Sequence, residues 1–560
     1  MILNRFSSLG IGFLVIVFTA SSSSTEIVSN EQDEGVVVLH RAGQAIPKRV
    51  ASMGNTLRER FARRQERMQE RRSRTRKEIC YELLGCFPMA LSKHQPLKKT
   101  PQSPSDVDTK FWLFTRGDRD AATENATQLH YGDRRESLIN SNYSAKLPTK
   151  MLVHGYKGSG MDYAARAIAN LWLKLENCNV ILVDWEKGAA GPSYAVAAAN
   201  TQLVGRQLAL LLTDMTSLGT PPQHIHVIGF SLGAHISGFA GRAIQQRGMM
   251  LGRITGLDPA SPLFRQHLKA SLPPLTTSDA HFVDIVHTDA ARVWSNGFGL
   301  FDALGHVDFF PNGGRDQPGC AHYRASLIVS HLEGTVNSSV ICNHIRAFQY
   351  FLESMRSTET GCEFLAFPCE QGYDAFQAGL CFPKQCNSSS HDGSCAPMGF
   401  YSNLNPARGP MYLVTRDKAP FCGEQLRATV VLSQKTLKTR GYLQLSLEHG
   451  LEYTHFQLYC ELKDAVKGGI EMNALAAAKY NSIGEDLTPE ITAHFTFQSL
   501  EFQNSDNYSL SNTPIYIAEV EVQSLKGVSW RYCGGDVILQ QKDNSMFRTA
   551  SLPLTTKECT

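Results

Sequence analysis

Residues 226–235 read HVIGFSLGAH, and this stretch decides the fold. An apolar run ends in Gly229-Phe230-Ser231-Leu232-Gly233, and small residues recur from Ala234 to Ala243. A strand that passes at once into a helix must turn sharply. Side chains beside the turning residue would crowd the neighbouring backbone, so glycines two before and two after the serine suit such a corner. A serine presented this way is a nucleophile elbow. The five residues alone also fit an ordinary glycine turn; the strand before them and the helix after them supply the specificity.

Outward from this corner, residues 111–115, 151–154, 180–184, 253–257 and 281–286 also read as strands. Residues 164–175 and 196–212 carry helical spacing between several of them. Strands joined by crossover helices predict a mainly parallel sheet with helices on both faces, an α/β domain. Beyond about Phe421 the pattern becomes strand after strand, at 428–432, 441–448, 456–460, 491–497, 515–522 and 536–539. Repeated short strands separated by turn residues favour a β-sandwich.

A serine hydroxyl is a poor nucleophile until a base takes its proton, and that base needs an acid to hold its tautomer. The partners should follow on later sheet edges. Asp258 closes the apolar run 253–257 and precedes Pro259, on the loop leaving a strand. His344 follows Cys342-Asn343, beside a cysteine that can anchor it. Ser231, Asp258, His344 is the chain order of serine, acid and histidine in this hydrolase architecture. On the residues alone, His344 is one candidate among 18 histidines.

The 560 residues exceed what one hydrophobic core supports, which predicts two folded domains with processed ends. Residues 1–24 read as an export signal: Arg5, a short apolar run over 9–18, then small residues from Ala20 to Ser24. No second long apolar segment follows, so a secreted, extracellular protein is expected. Fourteen cysteines fit structural disulfides. Asn125, Asn142, Asn337, Asn387 and Asn507 open Asn-x-Ser/Thr tripeptides, of which some should carry sugar. Residues 25–77 form a basic arm, with ten basic and three acidic side chains over 58–77. Arg71-Arg72-Ser73-Arg74 offers a site for propeptide removal; alternatively the arm holds anionic polysaccharide or lipid head groups. The body, 78–560, has 41 basic and 45 acidic residues, a balance that argues against nucleic acid as a partner.

With these residues in view, the chain resembles the pancreatic lipase family. The matching segments are KEICYELLGCF at 77–87, GLDPASPLF at 256–264, VDIVHTD at 283–289, GHVDFFPNGG at 305–314 and CNHIRA at 342–347. The resemblance runs from about residue 77 to the C-terminus, more closely in the α/β part. It implies an α/β-hydrolase lipase domain over 78–421 and a PLAT-like β-sandwich over 422–560. It implies Ser231 as nucleophile, Asp258 as acid and His344 as base, with the backbone N–H groups of Tyr156 and Leu232 as the oxyanion hole. Cys320 and Cys342 match the disulfide closing the lipase lid, in which Leu327, Ile328, Val329 and Leu332 would cover the site in water. Cys80–Cys86, Cys369–Cys381, Cys386–Cys395 and Cys533–Cys559 are further implied pairs, while Cys178, Cys362, Cys422 and Cys460 have no evident family partners.

The family's calcium site carries over only in part. Asp279 matches one ligand, but Thr276 stands at the second carboxylate position, after Pro273-Pro274. A hard cation favours several oxygens with carboxylates among them, so calcium is in doubt, and no other cofactor is implied. Phe230 stands where pancreatic lipases carry histidine; vascular lipases carry tyrosine there, so an aromatic is compatible with catalysis.

The leading expectation is a serine lipase acting on carboxylic esters, foremost triacylglycerols, at a lipid–water interface, with a colipase-like protein as a further partner. A lid of nearly lipase length and the long loop 290–305 lean towards neutral glycerides over phospholipase A1 or galactolipase activity. A non-catalytic lipid-binding, yolk-type relative on the same fold is the alternative of another class. Intact triad positions oppose it.

Overall fold

The computed structural model describes residues 78–88, 99–116, 126–265, 272–290, 297–320, 338–386, 393–458, 466–481, 491–499, 502–503, 507–508, 513–541, 547–557 and 559. All of these residues fall in the second of the chain's two units, Lys77–Thr560. The export signal, the basic arm, the lid residues Leu327, Ile328, Val329 and Leu332, Asn125, Asn337, Asn387 and Cys460 lie outside the described residues.

A short hairpin opens the second unit, β1 (Glu78–Tyr81) and β2 (Gly85–Pro88). The central sheet is built from β3 (Lys110–Phe114), β4 (Thr127–Leu129), β5 (Thr149–Val153), β6 (Asn179–Asp184), β7 (Ile225–Phe230), β8 (Leu251–Leu257), β9 (Ala280–Val286), β10 (Val307–Pro311), β11 (Leu365–Pro368), β12 (Ala396–Pro397) and β13 (Gly409–Leu413). Their order across the sheet is β12-β11-β13-β10-β9-β8-β7-β5-β6-β3-β4. The run from β13 to β6 is parallel, and antiparallel strands close both edges.

Crossover helices explain the parallel run: α1 (Tyr163–Leu175) joins β5 to β6, α2 (Tyr194–Ser217) joins β6 to β7, and α3 (Leu232–Gln245) joins β7 to β8. Asp162 starts α1 by accepting the Ala165 N–H at 2.7 Å. Because helices cover both faces, a central strand such as β6, NVILVD, is apolar in both directions. Val180 and Leu182 pack with Trp172 of α1 and with Phe351 of α4 (Ser338–Ser354). Ile181 and Val183 pack on the opposite face with Leu208 of α2 and Ile236 of α3.

The C-terminal part contains two antiparallel sheets, as the strand-rich pattern predicts. One holds Gly423–Leu432, Glu471–Lys479 and Tyr516–Ser524; the other holds Gly441–His449, Glu452–Leu458, Ile491–Ser499 and Phe547–Leu554. Leu426, Ala428 and Val430 of the first share one buried core with Leu445, Phe456, Phe495 and Phe497 of the second. Two sheets on one shared core make a sandwich.

All five implied disulfides are present: Cys80–Cys86, Cys320–Cys342, Cys369–Cys381, Cys386–Cys395 and Cys533–Cys559. Of the unassigned cysteines, Cys362 pairs with Cys422, and Cys178 is a buried free thiol whose pKa burial pushes up to about 12.

Candidate active site

Register brings the site together. Phe230 of β7 is paired with Leu257 of β8, and Leu257 with Val286 of β9, so three neighbouring parallel strands end on one level. The ladder continues one residue past each end. The Ser231 N–H donates to Leu257 O at 2.9 Å, the Asp258 N–H to Val286 O at 2.8 Å, and the His287 N–H to Phe309 O at 2.9 Å. Ser231 and Asp258 therefore stand side by side at the carboxyl edge of the sheet, the edge at which open α/β sheets bind their ligands.

Ser231 carries φ 57° and ψ −118°, far from the conformation of an ordinary strand or helix residue. That strain is held by the packing around it. A Cβ on Gly229 would lie 2.3 Å from Gly233 O, and one on Gly233 would lie 2.1 Å from Val153 O. Both contacts are with backbone, so only glycine fits either place. The serine is held at the head of α3, and Leu232 is that helix's first residue, where N–H groups have no carbonyl partner within the helix.

His344 does not stand on a sheet edge, contrary to the sequence expectation. It projects from α4, which itself carries Cys342 of the Cys320–Cys342 disulfide. The anchoring foreseen for Cys342 is present and reinforced: Asn343 Oδ1 accepts the Gln317 N–H at 2.9 Å, and an Arg346 guanidinium N–H donates to Pro318 O at 3.0 Å. His344 Nδ1 then meets Asp258 Oδ2 at 2.6 Å. The other carboxylate oxygen of Asp258 accepts the Thr288 N–H at 2.8 Å and the Asp289 N–H at 3.1 Å. Asp258 is fully buried. Phe230 lies against the His344 ring, centroids 4.7 Å apart, and Phe298 approaches it at 5.6 Å.

A cavity of about 400 Å³ opens on these groups, lined by Ser231 and His344 with Tyr156, Tyr194, Phe230, Pro262, Phe298 and Phe348. Its wall is predominantly aromatic and aliphatic, the surface an acyl chain requires. Tyr156 lies on the turn after β5, and a Cβ on the preceding Gly155 would come within 2.7 Å of Ser231 Cβ. That turn is fastened from β6. Trp185 Nε1–H donates to His154 O at 2.9 Å, and the Gly160 N–H donates to Asp184 Oδ1 at 3.0 Å. Burial would raise the Asp184 pKa, but hydrogen bonds from His154 and from the Gly160 and Glu186 N–H groups outweigh it and hold the carboxyl at about 2.

Two buried groups near the triad carry no role in the sequence reading. Asp289 accepts the Phe298 N–H at 2.8 Å, and burial, then the charge of Asp258, pushes its carboxyl well above the usual range. In the sequence it is one of the two acids of VDIVHTD, with nothing to set it apart from Asp284. His235 on α3 stacks on Phe264 with centroids 3.8 Å apart, donates Nε2–H to Ala260 O at 2.7 Å and accepts the Leu275 N–H at Nδ1. One donor and one acceptor define a neutral imidazole, consistent with burial lowering its pKa to about 3.

Asp279, matched to a calcium ligand, lies at the start of β9, remote from the triad. Thr276 and Asp279 cap one another, and the Arg242 guanidinium faces the Asp279 carboxylate with Nε 3.8 Å from Oδ1. One carboxylate already facing a fixed cation is a poor fit for a divalent ion, which would be repelled. Among the described residues, the clusters of three or more possible ligand groups lie elsewhere, at Glu78, Cys80 and Cys86 and at the triad with Asp289.

The profile of the family described as Lipase matches residues 77–421, a span containing Ser231, Asp258 and His344. The chain belongs to the lipase family. It is 38% identical over 385 residues to pancreatic triacylglycerol lipase of Sus scrofa, covering 66% of this chain and 80% of that one. Pancreatic lipase-related protein 2 of Homo sapiens is 32% identical over 491 residues, 84% of this chain and 96% of that one. Among solved structures, an esterase/lipase from an uncultured bacterium is 14% identical and covers 21% of this chain and 39% of its own, with a TM-score of 0.16. This lipase-family chain is a carboxylic ester hydrolase. Its fold is an α/β-hydrolase fold followed by a β-sandwich.

Proposed function

We propose that the protein is a secreted triacylglycerol lipase that works at a lipid–water interface through an acyl-enzyme. The observation carrying this reading is the 2.6 Å contact of His344 with buried Asp258, beside a strained Ser231 in an apolar cavity. Ser231 Oγ attacks the ester carbonyl carbon while His344 Nε2 takes its proton. Asp258 accepts from Nδ1–H, holds the tautomer and stabilises the imidazolium. The tetrahedral oxyanion accepts from the N–H groups of Leu232 and Tyr156, each such donor contributing on the order of 3 kcal/mol to the barrier reduction. The carbonyl–oxygen bond to the glyceride breaks, and the alcohol departs with the proton from His344. Water, deprotonated by the same histidine, then releases the fatty acid from Ser231.

Six disulfides among the described residues and an exposed Asn142 support passage through an oxidising secretory route. On this reading residues 1–24 are a signal peptide, 25–77 a removable or binding arm, 78–421 the lipase domain and 422–560 the PLAT-like sandwich that engages lipid or a colipase-like protein. A second reading, phospholipase A1, is favoured by one feature. Lys157 is an exposed ammonium on the cavity lining, suited to a phosphate.

The experiment is fatty-acid release from emulsified triolein and from phosphatidylcholine by the purified protein, with Ser231→Ala as control. Triolein hydrolysis lost in the variant supports the lipase reading, and preference for phosphatidylcholine moves it to phospholipase A1. Equal, negligible release by both proteins favours a binding role or a missing cofactor.

A further inference from the structure

Arg242 lies in the last turn of α3, and its guanidinium reaches the loop that leads into β9. Nη1–H donates to Pro274 O at 2.9 Å, Nη2–H to Pro273 O at 3.4 Å, and Nε faces Asp279 Oδ1 at 3.8 Å. Phe239 packs under the guanidinium, 4.7 Å from its ring centre. Asp279 is buried, and a Cβ on Gly241 would come within 2.2 Å of its carbonyl oxygen, so the loop lies directly on the helix. Asp279 Oδ2 accepts the Thr276 N–H at 2.9 Å, while Oδ1 has no hydrogen-bond partner among the described residues.

A buried carboxylate needs a counter-charge, and loop carbonyls turned inward need donors. In the resemblance, a hard divalent cation would meet both needs with several oxygens. A guanidinium meets them differently, with five donors in a planar fork and a charge it does not lose. We propose that Arg242 is the fixed cation of this loop: two proline carbonyls and the Asp279 carboxylate converge on a side chain of the chain itself, in the place of a calcium ion. The loss of the second carboxylate at Thr276 is the matching half of the exchange, since a monovalent guanidinium balances one carboxylate. The loop lies on α3, which presents Ser231, and leads into β9, beyond whose end the Thr288 and Asp289 N–H groups reach Asp258. Its anchoring therefore bears on the rigidity of the whole corner without touching the reaction.

The test is thermal unfolding of the full chain, stripped with chelator and then supplied with millimolar calcium. The wild-type protein should melt at the same temperature in both. Arg242→Met should melt roughly 2–4 °C lower. Arg242→Met combined with Thr276→Asp, which removes the guanidinium and returns the second carboxylate, should melt higher with calcium than with chelator. A calcium-dependent rise in the wild type overturns the proposal, as does Arg242→Met melting with the wild type, or a double variant indifferent to calcium. Should Arg242→Met fail to fold, Arg242→Lys decides: lysine keeps a charge near Asp279 but lacks the fork, so a lowered melt supports the proposal and a wild-type melt overturns it.

Discussion

Ser231 and Asp258 reach the site by sheet register, His344 by a disulfide-tied helix, and the two routes have different physical security. The first two are each one residue past the ends of paired parallel strands and held by ladder hydrogen bonds, Ser231 also by backbone contacts that admit only glycine. Moving either would mean disturbing the centre of the sheet. His344 depends on α4, whose entry is fixed by Cys320–Cys342, by Asn343 with Gln317 and by Arg346 with Pro318. Those ties are made by side chains, although the helix beyond them packs Ala347, Tyr350 and Phe351 into the core. On the proposed mechanism, the nucleophile and acid are thus fixed by the sheet while the base rides on a helix tied by a disulfide.

The hardest break in that comparison is removal of the ring itself. His344→Ala should lower kcat on a soluble short-chain ester by roughly 10⁶-fold, and Asp258→Asn by roughly 10⁴-fold, because a misheld imidazole retains part of its function. Equal losses would mean that Asp258 acts directly and does not merely hold the histidine. A gentler break leaves all three groups in place: the double variant Cys320→Ser/Cys342→Ser. It should lose about 3 kcal/mol of stability in denaturant titrations and up to roughly 10²-fold in kcat through misplacement of the base. Ser231 should still be phosphonylated by an activated phosphonate, more slowly but to completion, since the elbow does not rest on that bridge. If kcat survives unchanged, α4 needs no covalent tie and the contrast between the two routes falls.

The same contrast governs what could be read from the sequence. The elbow announces itself because its glycines, strand and helix are contiguous, and Asp258 because it closes an apolar run. His344 sits within a helix between Asn343 and Ile345, and its pairing is tertiary, so little local signal separates it from the other histidines; the family resemblance does. β10, VDFFP, is buried along its whole length and lacks the alternation that marks a half-exposed strand. In the sequence it stands out as part of the motif GHVDFFPNGG and carries no strand signal. Glu471–Lys479 carries four alanines, a poor strand signal, although Met472, Ala474 and Ala478 point into the sandwich core. Cys362 and Cys422 are separated by 60 residues, and Arg242 and Asp279 likewise meet only after folding.

Asp289 sharpens the comparison at its most rigid point, where the smallest effect is expected. Its N–H serves Asp258 while its own carboxyl is buried against that charge, and both influences favour the protonated form in the folded state. A carboxyl whose folded pKa is raised above the unfolded value, about 3.9, favours folding below that value. The advantage disappears as pH rises through the folded pKa. Asp289→Asn supplies a permanently neutral group of the same shape, and its Oδ1 can still accept from Phe298 N–H. The variant should therefore lose stability less steeply than the wild type as pH rises from about 4, with kcat little changed because the backbone donor to Asp258 remains. Melting curves across that range read the difference directly. Parallel curves for the two proteins would mean that Asp289 ionises freely in the fold, and that the corner holding Asp258 is wetter and looser than its hydrogen bonds describe.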